Sequence, residues 1–141
     1  MSSTSQKILG IDYGSKRIGL ALSEVESSLA FPYQVIENKG SAKVLANLLN
    51  IINENEVVTV VIGESLNLDG DDNEVMKQIR VLIKLLKESK PDINIHLEPE
   101  HYSSFEAERW SGKHDKIDAS AAAIILQAWI DRDTFNRRKM S

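Results

Sequence analysis

The stretch Ile8-Leu9-Gly10-Ile11-Asp12-Tyr13-Gly14-Ser15-Lys16-Arg17-Ile18-Gly19-Leu20-Ala21 decides how this chain is read. An apolar strand ends on a carboxylate. A glycine turn, two cations and a second apolar strand follow. Lys7 to Tyr13 is nearly continuous in apolar residues, as in a central strand covered on both faces. A desolvated carboxylate needs a partner. For Asp12 the choices are a metal ion, a phosphate-bound cation or the amides of a tight turn. The ordinary alternative is a turn residue paired with Lys16 or Arg17.

Working outward, Arg17–Ser23 and Ala30–Glu37 read as two further strands around the polar turn Glu24–Ser28, giving an antiparallel meander. Gly14 and Gly19 suit a tight turn or a close backbone approach. Ser41 is an N-cap candidate for a helix with Val44, Leu45, Leu48, Leu49 and Ile52 on one face. Val57–Gly63 is β-branched almost throughout and reads as a strand. A polar loop, Glu64–Asp72, leads into a helix to Ser89 with Val75, Ile79, Leu82, Ile83 and Leu86 inward. Pro91 enforces the break. Ile93–Leu97 reads as a short fifth strand, Ser103–Trp110 as a short helix and Asp115 to about Asp133 as the last one. The order β-β-β-α-β-α-β-α predicts an α/β layer fold. Its five-stranded mixed sheet has three antiparallel strands and then two parallel ones, with the first strand central and next to the fourth.

At 141 residues the chain is expected to be one domain, with flexible tails at about 1–6 and 134–141. Hydrophobic content of 42% and charged content of 27% are those of a soluble globular protein. The absence of Cys excludes disulfides, Cys-based zinc sites and thiol nucleophiles. The first residues lack the pattern of a signal peptide, and no apolar run approaches ~20 residues. The expected compartment is the cytoplasm, with no membrane partner. A net charge of −4 argues mildly against nucleic acid. Lys16 and Arg17, then Arg109, Lys113 and Lys116, then Arg132, Arg137, Arg138 and Lys139 nevertheless allow a locally basic face.

Ligands of such sheets bind outside the carboxyl ends of the strands. Asp12, Glu64, Glu98 and Glu100 all fall at such ends, and Asp118 lies in the first turn of the last helix. Hard divalent cations take oxygen ligands, and two of them ~3.5–4 Å apart clamp both reacting oxygens of a phosphodiester. Each acid also has a plain structural role. Asp118 can complete a capping box begun by Asp115. It also shares a helical face with Ala122, Ile125 and Trp129, and Ala119, Ala121, Ala122 and Ala123 permit close approach to the sheet. Glu64 and Glu100 can be surface acids. Asp69, Asp71 and Asp72 read as loop solvation and a helix N-cap. His96, His101 and His114 have no metal-ligand spacing, and Trp110 and Trp129 read as core.

Three stretches together resemble the YqgF/RuvX family of bacterial RNase H-like proteins, over roughly Lys7 to Asp131. They are Gly10 to Ala21, then Val61-Ile-Gly-Glu-Ser-Leu-Asn-Leu-Asp-Gly70, then Phe105-Glu-Ala-Glu-Arg109 with Lys116-Ile-Asp-Ala-Ser-Ala-Ala-Ala-Ile-Ile-Leu-Gln127. The resemblance implies an RNase H-like fold and an acidic site of Asp12, Glu100 and Asp118 holding one or two Mg²⁺ or Mn²⁺ ions. It implies Lys16, Arg17, Asn67 and Arg109 facing the nucleic acid. Two departures stand out. Pro99-Glu100-His101 occupies the place of the family's Asp-Glu-Arg, so an imidazole replaces a cation. Glu64-Ser65 occupies the place of Leu-Pro, which makes Glu64 a rival second acid or a fourth ligand.

The implied function is a metal-dependent endonuclease of structured nucleic acid, processing the end of pre-16S rRNA in ribosome biogenesis. The alternatives are a Holliday junction resolvase acting on branched DNA, which favours a homodimer over a monomer, and a nuclease-inactive binding module. A sugar-kinase-like phosphotransferase shares the Asp12-x-Gly14 pattern, but that class needs two such domains.

Overall fold

The computed structural model describes residues 6–24, 29–64, 73–99 and 114–140, with side chains of the last helix described over 119–134. Its elements are β1 (Lys7–Tyr13), β2 (Arg17–Glu24), β3 (Phe31–Glu37), α1 (Ser41–Asn55), β4 (Val57–Gly63), α2 (Glu74–Ser89), β5 (Asn94–Glu98) and α3 (His114–Met140). The strands form one sheet in the order β3-β2-β1-β4-β5. β1 is antiparallel to β2, and β2 to β3, while β1, β4 and β5 run parallel. The expected sheet, with β1 central beside β4, is the observed one. The helix expected at Ser103–Trp110 lies outside the described residues.

Strand alternation splits β1 between two cores. Leu9, Ile11 and Tyr13 join Ile18, Leu20, Val60 and Ile62 beneath α1 and α2, which contribute Val44, Leu48, Ile52, Met76, Ile79, Leu82 and Leu86. Ile8, Ala21 and Val61 face the other way, against Ala122, Ile125, Leu126 and Ile130 of α3. The molecule is therefore a sheet between two helical layers. Among the described residues no helix is long and apolar enough to cross a membrane.

Element ends differ from the sequence reading for identifiable reasons. Ser41 is the first residue of α1 rather than its cap; Gly40 precedes it, and Asn38 Oδ1 accepts from the Gly40 N–H at 3.2 Å. The cap of α2 is Asn73, whose side chain accepts from the Met76 N–H at 2.8 Å. The deepest residue of its first turn is then Met76, while Val75 is half-buried. β5 begins and ends one residue later than expected, because Glu64 donates its N–H to the Glu98 carbonyl at 2.8 Å and extends the ladder. α3 runs on to Met140, since no Gly or Pro between Thr134 and Met140 stops it.

Candidate active site

Asp12 pairs with Gly19 of β2. On its other side β1 and β4 run in register from Gly10 with Val61 and Ile11 with Ile62. Continuing that register by one residue sets Asp12 beside Gly63, which pairs with Glu98. One row thus crosses the carboxyl end of the sheet: Gly19, Asp12, Gly63, Glu98. Neighbouring strands lie ~4.8 Å apart, so the two acids stand roughly 10 Å apart along the row. Glycines flank Asp12, which is half-buried, on both sides of the row.

The row lies on the face covered by α3. Alternation gives Asp12 the face of Ile8 and Gly10, and Glu98 the face of His96, whose ring meets Trp129 at a centroid distance of 5.0 Å. Close contact with α3 depends on two glycines. A Cβ at Gly10 would stand 2.7 Å from Leu126 Cβ and 3.0 Å from the Ala122 carbonyl oxygen; one at Gly63 would stand 2.6 Å from Ile125 Cδ1. Ala119, Ala121 and Ala122 are buried, so the alanine-rich stripe does bring the helix against the sheet. Position 118 belongs to the backbone of α3, one turn and ~6 Å along the axis before Ala122.

The β1–β2 turn is held from outside. Asn38 Nδ2 donates to the Gly14 carbonyl at 2.8 Å and lies 3.5 Å from Gln78 Oε1, while the Asn38 N–H donates to the Lys16 carbonyl at 2.9 Å. At Gly14 a Cβ would collide with the carbonyl oxygen of Arg17. Burial pushes the Tyr13 phenol above its ordinary value, partly offset by its hydrogen bond with Asn38. The turn therefore holds Lys16, exposed, and Arg17, half-buried, beside Asp12.

Of the sequence-expected site residues, Asp12, Lys16, Arg17 and Glu64 are described, and Asp12, Lys16 and Arg17 stand around the β1–β2 turn. Glu64 follows the last residue of β4 and bonds to the Glu98 carbonyl through its N–H. Glu100, Asn67, Arg109 and His101 lie outside the described residues, and for Asp118 only the backbone is described. Among the described residues no three His, Asp or Glu side chains group as a metal ion requires. A three-carboxylate set built on Asp12 therefore draws on residues beyond them.

Sequence reasoning placed Glu98 at a strand end but missed its partner. Glu98 is only 1% exposed and takes both terminal nitrogens of Arg132: Nη1 donates to Oε2 at 2.8 Å and Nη2 to Oε1. That hydrogen bonding raises the pKa of the Arg132 guanidinium. The available signal was the spacing His96-x-Glu98, which continues the α3-facing alternation into a carboxylate.

The model of the RuvX family, described as Holliday junction resolvase, matches residues 6–132. This chain belongs to that family. A relative from Maridesulfovibrio salexigens is 40% identical, covering 89% of this chain and 98% of its own, and one from Ehrlichia canis is 38% identical, covering 89% and 85%. Both carry the name "Putative pre-16S rRNA nuclease". RuvC of Thermus thermophilus, solved with a Holliday junction substrate, has a TM-score of 0.62 at 14% identity, covering 92% of this chain and 96% of its own. The fowlpox virus Holliday junction resolvase has a TM-score of 0.59 at 13% identity, covering 89% and 99%. At those identities the likeness shows the fold, the RNase H-like one that the family resemblance implies and that the element order matches.

Proposed function

We propose that this RuvX-family chain is a metal-dependent endonuclease of structured nucleic acid, with the end of pre-16S rRNA as its natural substrate and the cytoplasm as its place of work. The observation that carries the reading is Asp12. It is a carboxylate at the end of a buried central strand, flanked by Gly19 and Gly63 and facing α3. The nuclease class rests on the family match and on the names of the 38–40% identical relatives.

Asp12 supplies hard oxygen donors, which suit Mg²⁺ or Mn²⁺. Glu100, which follows β5, and Asp118, on the first turns of α3, complete the donor set in this reading, with Glu64 as the rival second acid. One or two divalent ions held there would lower the pKa of an attacking water and neutralise charge at the phosphate. Lys16 and Arg17, on a turn braced by Asn38, bind the phosphate backbone and offset its charge. Asn67 and Arg109 extend that contact. Phosphate contacts position the substrate without reading sequence, so selectivity comes from the shape of the nucleic acid. At the place of the family's Arg, His101 supplies a neutral or cationic imidazole.

Junction resolution is the second reading, favoured by the description of the family model. It would call for a homodimer, because a four-way junction is symmetric. The test incubates the protein in Mg²⁺ with precursor 16S rRNA and, separately, with a four-way DNA junction. Cleavage of the RNA alone supports the first reading and cleavage of the junction alone the second. Binding with no cleavage in any divalent ion supports an inert module. Glu100→Gln is expected to abolish cleavage and Glu64→Gln to reduce it less; the reverse order reassigns the second acid.

A further inference from the structure

Glu98 and Arg132 are not used in the chemistry above, yet they join β5 to α3 at the level of Asp12. A carboxylate that is 1% exposed sits in the same row as Asp12, and the guanidinium that neutralises it comes from α3. Among the described residues, α3 is also seated near this row by Leu126 and the Ala122 carbonyl over Gly10 and by Ile125 over Gly63, and away from the row Gln127 Oε1 accepts from the Ala30 N–H at 2.9 Å. Apolar burial is non-directional. Such packing sets how deeply the helix sits on the sheet and fixes its rotation less sharply than a directional bond does. A bidentate guanidinium–carboxylate pair is directional and tolerates little rotation.

Positions 118, 122, 125, 129 and 132 follow each other at spacings of four and three, so they form one stripe of α3. Fourteen residues on a helix of 3.6 per turn bring position 132 back to within about 40° of position 118. A roll that carries 118 away from the sheet therefore carries Arg132 away from Glu98. Between those two positions Ala122, Ile125 and Trp129 meet the sheet or its β5 ring, so the helix acts as one rigid lever.

We propose that Glu98 and Arg132 form a rotational lock on α3, a pair of positioning residues that holds position 118 toward the row carrying Asp12. The proposal rests on the reading of Asp12 and Asp118 as one acidic site. It assigns Glu98 a role distinct from the ligand role of Glu64 or Glu100, because each of its oxygens accepts from Arg132.

The experiment compares wild type, Arg132→Lys, and the double variant Glu98→Met/Arg132→Met. The double variant removes both charges together, which avoids stranding a buried carboxylate and keeps the fold. Three quantities are read: Mn²⁺ affinity by titration calorimetry, kcat and KM on precursor 16S rRNA, and hydrogen exchange of the amides at 114–122. The expected results are a wild-type thermal midpoint for the double variant, Mn²⁺ binding weakened roughly 10-fold, and kcat lowered by a similar factor at unchanged KM. Exchange at 114–122 is faster. Arg132→Lys falls in between, because one point charge replaces the fork. A folded double variant with wild-type Mn²⁺ affinity, kcat and exchange overturns the lock and leaves the pair as packing. Asp12→Asn runs alongside: undiminished Mn²⁺ binding there overturns the acidic-site reading, and the exchange measurement still decides whether the pair fixes the helix.

Discussion

Gly10 of β1 lies directly under Leu126 of α3: an added Cβ would stand 2.7 Å from Leu126 Cβ, with the Ala122 carbonyl oxygen at 3.0 Å. Two residues further along β1 is Asp12. The distance between sheet and helix at the site is therefore set by a missing methyl group. Gly10→Ala pushes α3 outward or strains Leu126, and overpacking of this kind costs about 1–3 kcal/mol. Gly10→Val costs more. Urea unfolding midpoints for the two variants measure this, and catalytic loss is expected to exceed what the lost folded fraction explains.

The loop bearing the two cations depends on Asn38. Its side chain braces Gly14 and its N–H braces Lys16. Asn38→Ala frees the Gly14 carbonyl and removes the acceptor for the Gly40 N–H, a loss of about 1–2 kcal/mol. Under the proposed function the variant raises KM for nucleic acid more than it lowers kcat, because Lys16 and Arg17 lose their fixed geometry. Steady-state kinetics separates the two.

Tyr13 gives the protein an alkaline limit. Its phenol is pushed up by burial, so the folded state keeps a proton that the unfolded chain releases near the ordinary tyrosine value of about 10. The sign follows: the contribution is fully present below the unfolded pKa and is lost as pH rises through the folded one. Wild type is expected to lose stability above about pH 10 more steeply than Tyr13→Phe. Denaturant midpoints of the pair at pH 8, 10 and 11 check the slope, and their difference cancels the other titrating groups.

The start of α2 is capped by the Asn73 side chain. Asn73 accepts the Met76 N–H at 2.8 Å and fixes the turn in which Met76 enters the core. Asn73→Ala is expected to cost about 1 kcal/mol, and Asn73→Asp to restore it. Thermal melts of the three proteins order them.

The order of elements and the central place of β1 were legible because the patterns are strong: a continuous apolar run at Lys7–Tyr13, β-branched Val57–Gly63, and helices with one apolar face. Termini were less legible. Whether Gly40 and Ser41 or Asn73 and Asp72 make a cap turns on hydrogen bonds such as Asn38 to Gly40. The candidate site was half legible. Asp12 announced itself as a carboxylate at the end of an apolar strand, and Ala119 to Ala123 announced a close-packed helix. Glu98 was passed over because its neutralising partner is 34 residues away on another layer, and no local pattern marks such a pair. The glycines flanking Asp12 were visible in the sequence, but only the register of three strands puts Gly19 and Gly63 in its row.

The central claim is that Asp12 belongs to a catalytic acidic site. Its most direct test is Mg²⁺- and Mn²⁺-dependent cleavage of precursor 16S rRNA by Asp12→Asn, with circular dichroism and a thermal melt confirming the fold. The account predicts a folded protein that still binds the RNA, has lost at least 100-fold in rate, on the order expected when a metal-bound or acid–base group is removed, and no longer responds to Mn²⁺. A folded Asp12→Asn protein that cuts at the wild-type rate contradicts it.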